Sequence, residues 1–212
     1  MKDDFFITGT DTNIGKTVLS ALLVAAFDGV YWKPIQTGSC EGTDRQTVMR
    51  LAEVPEARTL PECYCFEPPV SPHLAAEANG VSIDLARIER PARPSPNDPL
   101  IVEGAGGIAV PVNDSQSMLD VVRKLNMPVL VASRSALGTI NHTVLTVDAL
   151  RIAGADVRGV VMIGKQNRDN ERSIERFART PVVGRIPPLA SINRNVLLDT
   201  FHTCFEAKFF ES

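Results

Sequence analysis

The chain lacks any long apolar run. Its longest, Val18 to Phe27, is about ten residues and is interrupted by Ser20, well short of the roughly 18 that a membrane-spanning helix requires. Cysteine is scarce. The four present, Cys40, Cys63, Cys65 and Cys204, form no CxxC pair and fall far below the density of a disulfide scaffold, so they are expected as reduced thiols. Basic residues are not in excess either: 22 Lys plus Arg stand against 25 Asp plus Glu, a net charge of -3. With no polybasic tail to neutralise phosphates along a strand, nucleic acid is not an expected partner, and neither is a membrane. The N-terminal Met1-Lys2-Asp3-Asp4 has none of the basic, apolar and small-residue segments of a signal peptide, which makes the cytoplasm the expected compartment. No internal repeat is visible.

What is present fits a soluble globular domain. The 212 residues are 44% hydrophobic and 22% charged, enough apolar material for one core, and 1–212 reads as a single domain. Short β-branched runs alternate with longer helix-like segments, the pattern of an α/β fold with a mostly parallel sheet and helices on both faces. Strands are expected at Phe5 to Thr8, Val30 to Ile35, Leu100 to Val102, Val129 to Ala132, Val157 to Ile163 and Val182 to Gly184. Helices are expected at Lys16 to Phe27, Asp44 to Ala52, Ser117 to Leu125, Thr139 to Ala153, Asn170 to Ala178 with Asn170 and Glu171 opening it, and Asn195 to about Phe209. The proline-rich Pro91 to Pro99 resembles an interdomain linker, but an apolar strand follows at once, so it reads as a surface loop of the same domain.

The strongest chemical signal is Gly9-Thr10-Asp11-Thr12-Asn13-Ile14-Gly15-Lys16-Thr17, set between an apolar strand and a helix. Backbone N–H groups leading into a helix N-terminus bind phosphate oxygens. Lys16 adds a point charge, and the Thr17 hydroxyl is suited to magnesium. The fold class is therefore P-loop NTPase-like. The spacing departs from the common phosphate loop, with five residues between the glycines instead of four and Thr10 where the first glycine normally falls.

Lys33 lies near the carboxyl end of an apolar strand in Tyr31-Trp32-Lys33-Pro34-Ile35-Gln36-Thr37-Gly38. It either points into the crevice at the carboxyl ends of the strands, towards an anionic ligand, or runs its stem out to solvent. Asp44 and Glu103 are the candidate carboxylates for a hard cation. Asp44 has an alternative reading as a helix N-cap. Glu103 follows an apolar strand and precedes Gly104-Ala105-Gly106-Gly107, which lets backbone approach a ligand. Cys63-Tyr64-Cys65 reads as a pair of thiols in a loop without a chemical role.

In order along nearly the whole chain, GTDTNIGKT at 9–17, WKPIQTG at 32–38, Thr43-Asp44, Ser71-Pro72-His73, VEGAGG at 102–107, LGTINH at 137–142 and VVGRIPPL at 182–189 resemble the dethiobiotin synthetase family. The resemblance implies carboxylation of 7,8-diaminopelargonate by CO2 or bicarbonate, phosphorylation of the carbamate by ATP, and ring closure. It assigns Lys33 and Lys16 to catalysis, Thr37 and Asn141 to substrate, and Thr17, Asp44 and Glu103 to Mg2+. It extends the nucleotide site to Asn13, Ile14, Gly15, Val18, Gly104, Ala105, Gly106, Pro187, Pro188 and Leu189. It also implies a homodimer with substrate near the interface. His142 reads instead as a packing or capping residue.

Two departures from the family stand out. Ile163-Gly164-Lys165 replaces the asparagine that reads adenine in many members, which leads us to expect GTP and CTP to be accepted beside ATP. Arg194 stands where some relatives carry a carboxylate. Two other readings remain beside the synthetase: a nucleotide switch of the partitioning type, disfavoured by the absence of a lysine in Gly9-Thr10-Asp11-Thr12, and an amidoligase of the cobyrinate diamide synthase type, disfavoured by the lack of room for a glutaminase domain.

Overall fold

The computed structural model describes residues 3–210; Met1 and Lys2 of the N-terminal segment lie outside the described residues. The elements in chain order are β1 Phe5–Gly9, α1 Lys16–Phe27, β2 Val30–Trp32, β3 Ile35–Thr37, α2 Asp44–Ala52, β4 Thr59–Leu60, β5 Tyr64–Phe66, α3 Pro72–Ala78 and β6 Leu100–Gly107. They continue with α4 Met118–Leu125, β7 Val129–Arg134, α5 Thr139–Ile152, β8 Val157–Ile163, α6 Arg168–Ala178, β9 Val182–Ile186 and α7 Arg194–Cys204.

Seven strands form one sheet in the order β4-β2-β6-β1-β7-β8-β9, and its paired strands all run parallel. Strand β1 alternates faces in the way a two-residue period demands. Phe5 and Ile7 pack with Leu19, Leu22 and Leu23 of α1, Val48 of α2 and Leu197 of α7. Phe6 joins the opposite layer, with Val121 and Val122 of α4, Val147 of α5 and Ile174 of α6. Both faces are covered, which is why the central strands are nearly continuous hydrophobic runs. An aromatic group of Phe5, Phe27, Phe201, Phe205 and Phe210 closes the α1–α7 side.

Four expectations change. The single strand Val30 to Ile35 is two. Pro34 has no N–H to give the ladder, so β2 stays in the main sheet, while β3 leaves it to pair with β5 in a separate two-stranded sheet. The Pro34 carbonyl accepts from the N–H of Cys63 and of Tyr64, at 2.9 and 3.0 Å, which makes Tyr64–Phe66 a strand where the sequence reads as a loop. The last helix ends at Cys204. Phe205 turns extended to pack against Gly184, and the Glu206 N–H donates to the Val183 carbonyl at 3.0 Å. Helix α6 starts at Arg168, two residues early, because the side chain of Asn167 caps it by accepting from the Asn170 N–H. The proline-rich segment runs outside helix and strand and re-enters the same sheet as β6.

Candidate active site

The carboxyl ends of β1, β2 and β6 lie side by side, and the sheet register sets what meets there. Trp32 pairs with Val102 and Ile7 with Glu103, so the residue after β2, Lys33, comes alongside Glu103. The phosphate loop leaves β1 at Gly9 and enters α1 at Lys16. Asn13 and Gly15 take left-handed backbone, with φ of 55° and 99°, which turns successive N–H groups inward as an anion-binding concavity. A side chain at position 15 would also press on Ile163, 3.1 Å away. Gly106, at the end of β6, likewise has positive φ and lies next to Thr12.

Thr17, Asp44, Glu103 and Lys33 form one cluster. The Thr17 hydroxyl lies 3.1 Å from Asp44 Oδ1 and 3.0 Å from Glu103 Oε1, so its proton is shared between two carboxylates. Lys33 Nζ donates to Asp44 Oδ2 and, at 3.4 Å, to Glu103 Oε1. Lys33 therefore points into the cluster and not to solvent. Asp44 is not the cap of α2: Thr43 is, accepting from the Gln46 N–H while the Gln46 side chain accepts from the Thr43 N–H. That frees the Asp44 carboxylate to face Thr17 and Lys33. Buried Gln36 anchors the same turn, its Oε1 accepting from the Asp44 N–H at 3.1 Å.

Charge in the cluster follows from burial. For Lys33, loss of water alone would push its pKa down, but the charges of Glu103 and Asp44 and their hydrogen bonds together hold it above the ordinary lysine value. It is an ammonium and not a base. Lys16 is buried, its Nζ donating to the Asp11 carbonyl at 2.9 Å. Desolvation dominates there, and with the like charge of Lys33 it outweighs the pull of Glu103, Asp44 and Asp11, so the Lys16 pKa is lowered. Burial and the charge of Glu103 push Tyr31 well above the ordinary phenol value, which keeps its hydroxyl a donor.

The donor set suits a hard divalent cation, because one hydroxyl and two carboxylates supply oxygen only. The predicted nucleotide residues lie in separate segments of the fold. Ile14 is buried against Gly9 and Val18 is half-buried in the first turn of α1; Gly104 and Ala105 are buried within β6, which runs on to Gly107 and so contains Glu103. Pro187 and Pro188 are exposed beyond β9, with Leu189 half-buried. Thr37 is half-buried at the end of β3. Asn141 lies on the exposed side of α5 with no hydrogen bond or ion pair to the cluster among the described residues, and His142 beside it is also exposed. Arg194 faces away from a nucleotide role, its guanidinium donating to the Ala52 carbonyl at the end of α2.

Sequence reading missed three contributors: Tyr31, Ser20 and Arg134. Tyr31 and Ser20 donate to Glu103 Oε2, and Arg134 reaches the phosphate loop at Asp11 Oδ2, 2.9 Å away. Ser20 alone carried a local signal, lying three residues after Thr17 and so on the same helix face.

Residues 3–196 match a family profile described as an AAA domain. The chain is 47% identical over 199 residues to the ATP-dependent dethiobiotin synthetase BioD of Rhodopseudomonas palustris (strain BisA53), covering 94% of this chain and 92% of that one. It is 46% identical to the protein of that name from Agrobacterium fabrum, covering 93% and 92%. To the one from Novosphingobium aromaticivorans it is 44% identical, covering 97% and 98%. Among solved structures, a ParA family ATPase from Chlorobium tepidum TLS superposes with a TM-score of 0.52 at 10% identity, covering 93% of this chain and 97% of that one. The MinC:MinD cell division protein complex of Aquifex aeolicus gives 0.55 at 13% identity, covering 93% and 86%. At such identities the likeness is one of fold, a P-loop NTPase sheet.

Proposed function

The chain belongs to the ATP-dependent dethiobiotin synthetase family, and from that premise we propose how its own side chains carry the reaction. It is a C–N bond-forming ligase of biotin biosynthesis, making dethiobiotin at the expense of ATP. The substrates are 7,8-diaminopelargonate and CO2. One amine adds to CO2 and loses a proton, giving a carbamate. A carbamate oxygen attacks the γ-phosphorus of ATP and ADP leaves. The second amine then attacks the carbonyl carbon, the C–O bond to phosphate breaks, and the amine proton departs with the phosphate.

The observation that carries this reading is the meeting of Lys33, Thr17, Asp44 and Glu103 at the mouth of the phosphate loop. Both chemical intermediates are anions, and both phosphoryl transfer and acyl displacement gain from fixed positive charge. Lys33, held protonated, fixes the carbamate oxygens. Lys16 leaves the Asp11 carbonyl for the β and γ oxygens, an exchange favoured because that single neutral acceptor compensates poorly for its burial. Thr17, Asp44 and Glu103 hold magnesium, which when bound neutralises charge on the phosphates. Thr37 contacts the diamine.

The same reading includes a homodimer and a cytoplasmic enzyme. Leu145 and Ile152 are exposed on α5, in line with Asn141 at helical spacing, and fully exposed Leu137 precedes the helix. A second copy seated on this face covers the apolar stripe and brings Asn141 to the partner's substrate. Among the described residues no helix is long and apolar enough to cross a membrane. Base choice is relaxed: after Ile163-Gly164-Lys165, the first two asparagines, Asn167 and Asn170, are occupied in capping α6 and in donating to the Ser135 carbonyl.

The test is incubation of the protein with 7,8-diaminopelargonate, bicarbonate, magnesium and, separately, ATP, GTP or CTP, with dethiobiotin followed by mass spectrometry. Product that needs both bicarbonate and nucleotide is expected. Its absence from folded, magnesium-replete protein overturns the proposed roles.

A further inference from the structure

The two oxygens of Glu103 lead different lives. Oε1 faces the site, 3.0 Å from Thr17 Oγ1 and 3.4 Å from Lys33 Nζ. Oε2 faces the protein interior and accepts two neutral hydrogen bonds, from the Tyr31 hydroxyl at 3.0 Å and from Ser20 Oγ at 3.0 Å. All three groups are buried: Glu103 is 1% exposed and Tyr31 and Ser20 are both 0%. Tyr31 is the middle residue of β2 and otherwise sits in the apolar layer under α1. A hydroxyl placed there needs an acceptor. Each carboxylate oxygen offers two lone-pair sites, so these two donors saturate Oε2 and fix the plane of the carboxylate.

We infer that Tyr31, together with Ser20, is a positioning residue that allows Glu103 to offer a cation only one oxygen, and that this arrangement selects magnesium over calcium. The inference rests on the reading of Glu103 as a metal-holding residue. Magnesium accepts single oxygens in a tight octahedron, whereas calcium is larger, takes more ligands and readily binds both oxygens of one carboxylate. A carboxylate whose second oxygen is engaged elsewhere cannot turn to embrace the larger ion. With either donor lost, the carboxylate gains freedom to rotate, and with both lost Oε2 becomes available.

The experiment compares wild type, Tyr31→Phe, Ser20→Ala, the double variant and Glu103→Gln by calorimetric titration of Mg2+ and of Ca2+ into the protein saturated with ADP. Thermal unfolding in EDTA accompanies each. Phenylalanine keeps the packed ring and serine to alanine leaves only a small gap, so either single variant gives a folded protein on which the question is decided. We expect Tyr31→Phe to weaken Mg2+ binding by about tenfold, the lower end for outer partners of metal-holding groups. Ca2+ binding holds or improves, so the preference for Mg2+ falls in the single variants and falls further in the double. A loss of Mg2+ and Ca2+ affinity in equal proportion, or a lower melting temperature in EDTA with the preference unchanged, marks a merely structural role and overturns the inference. Glu103→Gln separates the two claims. If it leaves Mg2+ affinity untouched, the metal reading of Glu103 fails; if it weakens Mg2+ binding while Tyr31→Phe and Ser20→Ala leave the preference unchanged, only the positioning inference fails.

Discussion

Replacing Lys33 with Met keeps most of the side-chain volume and removes a cation bonded to both carboxylates of the site. The Lys33 and Glu103 side chains are 8% and 1% exposed and Asp44 is 28% exposed. At the 3.4 Å separating Lys33 Nζ from Glu103 Oε1, the bare attraction is about 5 kcal/mol at an effective dielectric near 20. Desolvation offsets much of that, and removing one partner of a buried pair costs about 3–5 kcal/mol in practice. Glu103 keeps three neutral donors, Thr17, Ser20 and Tyr31, and Asp44 has access to water, which puts this case at the lower end, about 3 kcal/mol. For a chain of this size that is a fall in melting temperature of about 6–12 °C, read by calorimetry in EDTA. Dethiobiotin formation falls in parallel by about two to three orders of magnitude, the scale for a group that stabilises developing charge. The double variant Lys33→Met, Glu103→Gln restores part of the stability, because the carboxylate left without its cation is gone, so the two effects do not add. An unchanged melting temperature for Lys33→Met in EDTA, or strict additivity in the double variant, refutes the picture of Lys33 as the counter-ion of a buried carboxylate pair.

Lys16→Ala abolishes dethiobiotin formation while leaving the apo protein at least as stable as wild type, since it removes a desolvated charge; wild-type turnover removes Lys16 from the mechanism. Because burial lowers the Lys16 pKa, the folded chain binds fewer protons than the unfolded one between that value and about 10.4. Lys16 therefore costs stability at neutral pH and relieves that cost as pH rises, whereas Lys33, with its pKa raised, contributes fully below about 10.4 and loses its contribution only above. In activity, kcat/KM for ATP falls on the alkaline side from a pH below the ordinary lysine value as Lys16 deprotonates, and a profile flat through about pH 10 counts against that lysine. Leu145→Asp converts the proposed dimer to monomer in sedimentation velocity and weakens diamine binding, while a dimer unchanged by it places the interface elsewhere. GTP and CTP support product formation with kcat/KM within tenfold of ATP, and a tenfold or greater preference for ATP shows that another group reads the base.

Which parts of this molecule can be read from its residues depends on how local their causes are. The α/β pattern is local: β8 and the helices α1 and α2 start and stop where hydrophobic period and local caps, Gly15 for α1 and Thr43 for α2, place them. The phosphate loop is local too, because nine consecutive residues between a strand and a helix define it. Nothing next to Lys33 in sequence says which way it points; the pairing of β2 with β6, 70 residues apart, decides it. Asp44 is ambiguous for the opposite reason, that a stronger cap, Thr43 with Gln46, lies beside it and two residues compete for one role. The split of Val30 to Ile35 was legible in Pro34, whose missing N–H the strand pattern outweighed. Tyr31 was not legible at all, since an aromatic residue in a buried strand has the same appearance whether its hydroxyl meets a carboxylate or not.

The charges of the site balance one another. Lys16 and Lys33 stand against Asp44 and Glu103, and each lysine feels both carboxylates. The charges of this cluster pair internally, and that internal pairing is what substrate has to replace. Lys16 is the weaker-held of the two, with a backbone carbonyl as its bonded partner, while Lys33 is bonded to both carboxylates. In the proposed mechanism nucleotide phosphates therefore draw Lys16 first and at low cost, whereas Lys33 keeps its place and supplies a fixed charge for the carbamate. A mobile lysine on the phosphates and an immobile one at the reacting carbon give the division of labour that ordered transfer requires, since preorganised charge lowers a barrier only where it does not have to move.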